Sequence, residues 1–404
     1  VTPELKGFLL VSIVKLVVMF VALLVGVALV TWLERRQAAF HQDRLGPNRV
    51  GPFGLFQPIA DGIKNFIKEE VVPYQADKAL FLMAPALTFI PASLLFAVIP
   101  FAAPMPVSFD FEWPLVGRFT HDGPMSMMVA DLPVGVLFIL AISSISVYGI
   151  VLAGWASNSK YSFLGGLRSS AQMVSYEVAL GLSVIAVLLV AGDVTLNRVV
   201  ENQQAGVWYV FPLAVGFVLF FVSALAETNR LPFDLPEAES ELVYGYHTEY
   251  SAMKFAMFMM GEYAALITMA ALTSTLFLGG WDIPFTNWDQ GAPSVLRSLT
   301  TLAFFLAKTV FFVFICIWIR WSLPRFRYDQ LMSLGWKVLL PGALTYLMVL
   351  ATAIWVLETV GVESATLYGL ILFAVNLPFL YLLFWVLDSG RLVLGQQERR
   401  RSSS

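Results

Sequence analysis

The chain has 404 residues, of which 58% are hydrophobic, 14% aromatic and only 13% charged, and its mean hydropathy is +0.75. This is too apolar for a soluble globule and too poor in charge for a disordered chain. The formal charge of −3 comes with no basic stripe, which sets nucleic acid aside as a partner.

Stretches of about 20 apolar residues can cross a hydrocarbon core of roughly 30 Å. Nine qualify, at about 8–33, 79–101, 131–153, 173–192, 208–226, 254–278, 299–321, 337–358 and 365–387. They predict one all-α, polytopic membrane domain over 1–404. The first is too long for a signal-peptide core and continues into LERRQ without a small-residue cleavage site, so it is expected to stay in the chain. Asp131 is expected to cap the third span. Cys316, the single cysteine, lies within the seventh span and cannot form an internal disulfide.

Lys and Arg set the expected orientation. With the N-terminus outside and the C-terminus cytoplasmic, the inner loops and tail hold Arg35, Arg36, Arg44, Arg168, Arg230, Arg320, Arg325, Arg327 and most other cations. Only Lys6, Arg118, Arg198 and Arg297 fall outside. Three lysines lie in or beside spans, namely Lys15, Lys254 and Lys308.

The long loop 34–78 begins with a Gly/Pro-dense turn, DRLGPNRVGPFG, and continues into GLFQPIADGIKNFIKEE. Leu55, Phe56, Ile59, Ile63, Phe66 and Ile67 recur there at helical spacing, with Asp61, Lys64 and Lys68 elsewhere on the wheel. Too short and polar to span, this helix is expected to lie along the interface. It is either a simple anchor or one wall of a portal for an amphiphilic ligand, with Ile59, Ile63 and Phe66 on the portal face.

Between residues 227 and 262 seven carboxylates gather: Glu227, Asp234, Glu237, Glu239, Glu241, Glu249 and Glu262. Glu177 is expected early in the fourth span, Glu227 at the end of the fifth and Glu262 two turns inside the sixth. Ionised groups at such depth cost at least about 2.5 kcal/mol each. The intramembrane lysines look badly placed to pair with them, so a protonatable chain is favoured over buried ion pairs. Glu237, Glu239 and Glu241 follow i, i+2 spacing, which spreads them around a helix but aligns them on an extended segment. A solvated loop is the alternative there. His41, His121 and His247 all fall in expected loops, so no intramembrane pair is available for a haem. No Cys/His spacing suggests zinc, and nucleotide-binding glycine motifs are absent.

Four segments in order, LERRQAAFHQDRLGPNRVGPFGLFQPIADGIKNFIKE, SSAQMVSYEVALGL, ETNRLPFDLPEAESELVYGYHTEYS and WIRWSLPRFRYDQLMSLGWKVLLP, closely resemble the H-subunit family of bacterial NADH:quinone oxidoreductase, respiratory complex I. The span at 365–387 lies outside them and reads as accessory. The resemblance implies a subunit at the junction of the membrane and peripheral arms of a proton-pumping complex in the bacterial inner membrane. It implies a tunnel that admits quinone (ubiquinone or menaquinone), lined by several of Arg35, Arg36, Arg44, Asp61, Phe233, Arg320, Arg325 and Arg327. It further implies that Glu177, Glu227, Glu237, Glu239, Glu241, Glu249 and Glu262 begin the acidic path for protons. FMN and iron–sulfur clusters would belong to peripheral neighbours, and small and antiporter-like subunits would adjoin within the membrane. Two rival readings are a related subunit of membrane-bound hydrogenases and a secondary ion transporter. The extended acidic and GPNRVGPFG segments argue against the first, and the absence of paired broken helices in matching halves argues against the second.

Overall fold

The computed structural model describes residues 2–113, 117–236, 239–284, 286, 288–361 and 365–388. Helices dominate: α1 (Pro3–His41), α2 (Gln57–Ile67), α3 (Lys78–Leu95), α4 (Gly135–Ala156), α5 (Lys160–Ala191), α6 (Leu196–Ala205), α7 (Ala214–Glu227), α8 (Glu239–Leu242), α9 (Ala252–Phe277), α10 (Val295–Ser322), α11 (Tyr328–Leu334), α12 (Leu340–Val360) and α13 (Ala365–Asp388). Seven of the described helical stretches are long and apolar enough to cross a membrane, and α7 and α13 supply shorter apolar ones. These nine correspond to the nine expected spans.

Local chemistry explains where several helices start and stop. Pro3 opens α1 behind Thr2, whose hydroxyl accepts from Leu5 N. Asp77 caps α3 by accepting from Ala79 N at 3.1 Å, and Ser294 caps α10 at Arg297 N. Gly192, at φ 67°, ends α5 in the left-handed conformation that a side chain would disfavour. The span expected at 337–358 is the second half of a longer helical run, in which a π turn over Gly335–Leu339 joins α11 to α12. Tyr176 of α5 donates to Leu331 O at 2.9 Å beside that turn.

Four expectations need correction. Glu177 lies mid-way along α5, because the helix begins at Lys160 and not near 173. Asp131 does not cap α4, whose N-cap is Val134; it receives a hydrogen bond from Asn197 of α6. His41 is the last residue of α1, His121 lies in a strand and His247 in a buried 3-10 turn, so the histidines are not all loop residues. The fourth concerns residues 102–127, expected as an outer loop, which form an antiparallel hairpin of β1 (Ala102–Trp113) and β2 (Gly117–Met127). Its signal is the alternation of Val107, Phe109, Phe111 and Trp113 with Ser108, Asp110 and Glu112, which a search for continuous apolar runs passes over. Phe111 stacks on Phe119 across the pair.

Contacts sort the loops onto two opposite faces. On one, Val71 N bonds Ser251 Oγ, Asp77 N bonds Ala156 O and Phe326 N bonds Pro232 O. This gathers the long first loop, the acidic segment and the 323–327 loop. On the other, Lys15 donates to Ser126 O and Met128 O, and Ala103 N bonds Thr301 Oγ1, fastening the hairpin to α1 and α10. The core between them includes Tyr176, Leu180, Leu219, Phe220, Phe277 and Phe305. α13 is tied in by buried Asn376, which donates to Pro212 O at 2.7 Å and accepts from Val215 N at the start of α7.

Candidate functional site: a buried line of carboxylates and arginines

Glu227, at the C-terminal end of α7, is buried because α4 and α5 pack over it. Glu177 of α5 is its neighbouring charge, and Ser143 of α4 lies beside it while its hydroxyl donates to Leu140 O at 2.9 Å. The next residue, Ser144, bonds the Glu177 carboxylate. Two consecutive serines of α4 thus lie beside two neighbouring acids, and one of them is bonded to its acid.

Beyond Glu227 lies a cavity of about 40 Å³, bordered by Glu227 on one side and Glu262 of α9 on the other, with Thr88, Ser146 and Asn229 also on its wall. A space of that size is large enough for a water molecule, and Glu227, Glu262, Thr88, Ser146 and Asn229 supply polar atoms on its otherwise apolar wall. Glu262 in turn pairs with Arg230 Nε at 3.0 Å. Arg230, 3% exposed, reaches Glu34 of α1 through Nη1 at 2.8 Å and stacks over Tyr263, 4.2 Å from its ring centroid. Arg320 of α10 closes the line on the other oxygen of Glu34.

This overturns part of the sequence reading. Lys15 and Lys308 are indeed spent elsewhere, on backbone carbonyls, and Lys254 pairs with Glu70. Yet Glu262 is paired with a buried cation, because Arg230, counted as a loop residue, folds inward. A turn after α7 carries it there, with Asn229 at φ 52° and the Gln172 side chain donating to Ala226 O and Phe233 O. Glu34 was missed altogether. Its only signal was a carboxylate inside LERRQ at the end of an apolar run.

The remaining expected residues divide. Glu241 forms a partly exposed cluster with Arg168 at 2.6 Å and Arg325 at 3.4 Å, an ordinary surface ion pair. Glu239 begins the short helix α8, and Glu249 is half-buried between His247 and Tyr250. Glu237 lies outside the described residues. Asp61 pairs with Arg35 at 2.5 Å and accepts from Gln57, which holds α2 against the end of α1. Arg36 stacks on Trp32 and Phe53, whereas Arg44 is exposed in the turn that follows. Arg327 precedes α11, its N–H bonded to Gln330. Phe233, expected as tunnel wall, is buried between the rings of Tyr176 and Phe326, so it packs the acidic segment onto α5. On α2, Ile59, Ile63 and Phe66 are exposed, Phe66 at 72%, so its apolar face is unpartnered among the described residues.

This line of charges falls within the part of the chain that is shared with other proteins. The NADH dehydrogenase family model matches residues 14–351. The chain belongs to the H-subunit family of NADH-quinone oxidoreductases. It is 52% identical over 337 residues to an H subunit of the NADH-quinone oxidoreductase of Geobacter sulfurreducens, covering 83% of this chain and 93% of that one. It is 49% identical over 356 residues to the H subunit from Rhodospirillum rubrum, covering 87% and 94%. With the H subunit from Leptospira biflexa it shares 48% over 337 residues, 83% and 92% of the two chains. The family match spans Glu34, Glu177, Glu227, Arg230, Glu262 and Arg320 and stops before α13.

Proposed function

We propose that this chain is a membrane component of a proton-translocating NADH:quinone oxidoreductase in the bacterial inner membrane, forming the access path for quinone and the start of the route by which quinone reduction drives proton movement. The observation that carries the proton role is the small cavity that Glu227 and Glu262 both line. It joins one pair of neighbouring acids, Glu177 and Glu227, to a charged line, Glu262, Arg230, Glu34 and Arg320. Mutually close acids cannot all ionise at once, so a charge change at one end alters which of the others holds a proton. Family membership and the exposed apolar face of α2 support the quinone role. The substrate is ubiquinone or menaquinone, whose isoprenoid tail would slide along Ile59, Ile63 and Phe66 while Arg35, Arg36 and Arg44 guide the head group.

In this reading the chain itself delivers no electrons. Its single cysteine is too few for an iron–sulfur cluster, so FMN and the clusters are assigned to peripheral-arm partners. Small and antiporter-like subunits would continue the acidic path along the membrane. The N-terminus and the hairpin face the outside, and the acidic segment faces the cytoplasm.

The test is Glu227→Gln and Glu177→Gln in the assembled complex, read as NADH-driven quinone reduction and as proton uptake into inverted vesicles. Both activities are expected to fall together, by about tenfold or more, while flavin-level reduction of an artificial acceptor persists. Normal pumping at normal stoichiometry in both variants would remove these residues from the path.

A further inference from the structure

On the face that carries the hairpin, a cavity of about 380 Å³ lies between α6, the base of the hairpin and the segment that leads into α10. That volume is in the range of small-molecule sites. Three of its wall residues carry a polar atom that is buried and has no hydrogen-bond partner among the described residues, namely Trp281 Nε1, Asp289 Oδ1 and Arg297 Nη1. We propose that this cavity holds the head group of a phospholipid of the ethanolamine class. Its phosphate would sit on Arg297 and Trp281, its primary ammonium on Asp289, and a tail along α10.

The two opposite charges on the wall are held in place but not neutralised. Gln204 Nε2 donates to Asp289 Oδ2 at 2.6 Å, which leaves Oδ1 as the open acceptor. Arg297 donates through Nε to Trp288 O at 2.7 Å and lies over the Trp288 ring, which leaves Nη1 as the open donor. The third charge on the wall, Glu201, is taken by Arg198 at 3.1 Å. Behind the wall, Asp282 and Lys308 cancel in charge, the acid bonded to Trp208 Nε1 and the lysine to three backbone carbonyls. Asp289 and Arg297 are therefore the charges left to a ligand.

The unmet groups select that ligand by class. Two donors, one of them a guanidinium, call for an oxyanion. A carboxylate oxygen that lacks a donor calls for an N–H, which a primary ammonium supplies and a quaternary one cannot. One molecule with both charges satisfies the wall and adds no net charge to it.

The place of the cavity makes that molecule a lipid. Arg297 lies in the first turn of α10, a helix long and apolar enough to cross a membrane. Phe304 and Phe311 follow it at seven-residue intervals, which puts them below it on the same face, and they are 42% and 56% exposed. Trp288, stacked on Arg297 and itself partly exposed, is the aromatic expected at a membrane–water boundary. A cavity with two unmet charges thus stands at the head of an exposed apolar face, in the order of a lipid's head group and tail.

The experiment uses the intact complex, delipidated in mild detergent and exposed to a phosphatidylethanolamine with a photoactivatable diazirine on one acyl chain. Peptide mass spectrometry reads the adduct on α10. Unlabelled phosphatidylethanolamine should suppress the adduct, and phosphatidylcholine and phosphatidylglycerol should compete about tenfold less well. Arg297→Gln and Asp289→Asn should each lower labelling by about tenfold, while Arg118→Gln on the exposed hairpin should leave it unchanged. The head-group competition on the unaltered complex stands even where a variant fails to assemble. Equal competition by phosphatidylcholine, or undiminished labelling in both cavity variants, would overturn the site. Suppression by tailless glycerophosphoethanolamine at the same concentration would overturn the lipid in favour of a soluble zwitterion. Because the readout is bound lipid, each outcome is separate from the coupling role of Glu177 and Glu227.

Discussion

Arg230 Nη1 lies 2.8 Å from Glu34 Oε2 although 196 positions separate them. One guanidinium thereby joins α1 to the turn after α7, and its Nε carries the link on to α9 through Glu262. Buried pairs of this kind add little to stability over a hydrophobic equivalent, but breaking one partner leaves an uncompensated charge. Arg230→Met is therefore expected to destabilise the protein by about 3–5 kcal/mol, seen as loss of the assembled complex. Arg230→Lys keeps charge but not the fork and should be only partly tolerated. A double variant, Arg230→Met with Glu34→Gln, should recover assembly relative to Arg230→Met alone. Equal assembly in wild type and Arg230→Met would show that the network does not hold these helices together.

The acidic segment reaches α5 at a point where only glycine fits. A Cβ at Gly165 would lie 2.7 Å from Tyr246 N and 2.8 Å from Gly245 Cα, and backbone on both sides cannot yield as a side chain would. Gly165→Ala is expected to displace the 245–247 turn, with about 1–3 kcal/mol of overpacking cost. Limited proteolysis of the acidic segment should quicken in that variant. Gly181→Ala, with open space around the new Cβ, is the control and should behave as wild type.

On α2, the exposed row of Ile59, Ile63 and Phe66 is expected to matter most for substrates with long tails. Glu or Lys at Ile63 or Phe66 should raise the KM for a long-chain quinone more than that for a short soluble analogue. Equal loss with both, tracking loss of assembled complex, would make α2 an anchor only.

Asn376 satisfies Pro212 O and Val215 N at the start of α7, so the accessory helix has a defined polar connection to the family core. Asn376→Leu has similar bulk but leaves those buried backbone groups unpaired, at about 1–3 kcal/mol. A lower thermal midpoint is expected without a change in quinone KM. Removing residues from 365 onward should cost at least as much, and an unchanged midpoint in both would show that α13 is not part of the stabilising core.

What the sequence alone determined was the solvent and the segment plan. Nine apolar stretches, the amphipathic period of α2 and four motifs in order fixed a helical membrane bundle and its family, because the hydrocarbon thickness and the helical repeat act on neighbouring residues. The hairpin was legible too, in the alternation from Val107 to Trp113, but only to a search for period two. Pairing was not legible. Whether Glu262 stood alone or met Arg230, whether Glu34 joined them, and that Ser143 and Ser144 would lie beside two acids on other helices all depend on side chains brought together from distant positions. Even the direction of Arg230 was decided by the turn after α7, since a charge just beyond a span can face water or fold back toward an acid. Only the packed structure supplies the acid that makes folding back favourable.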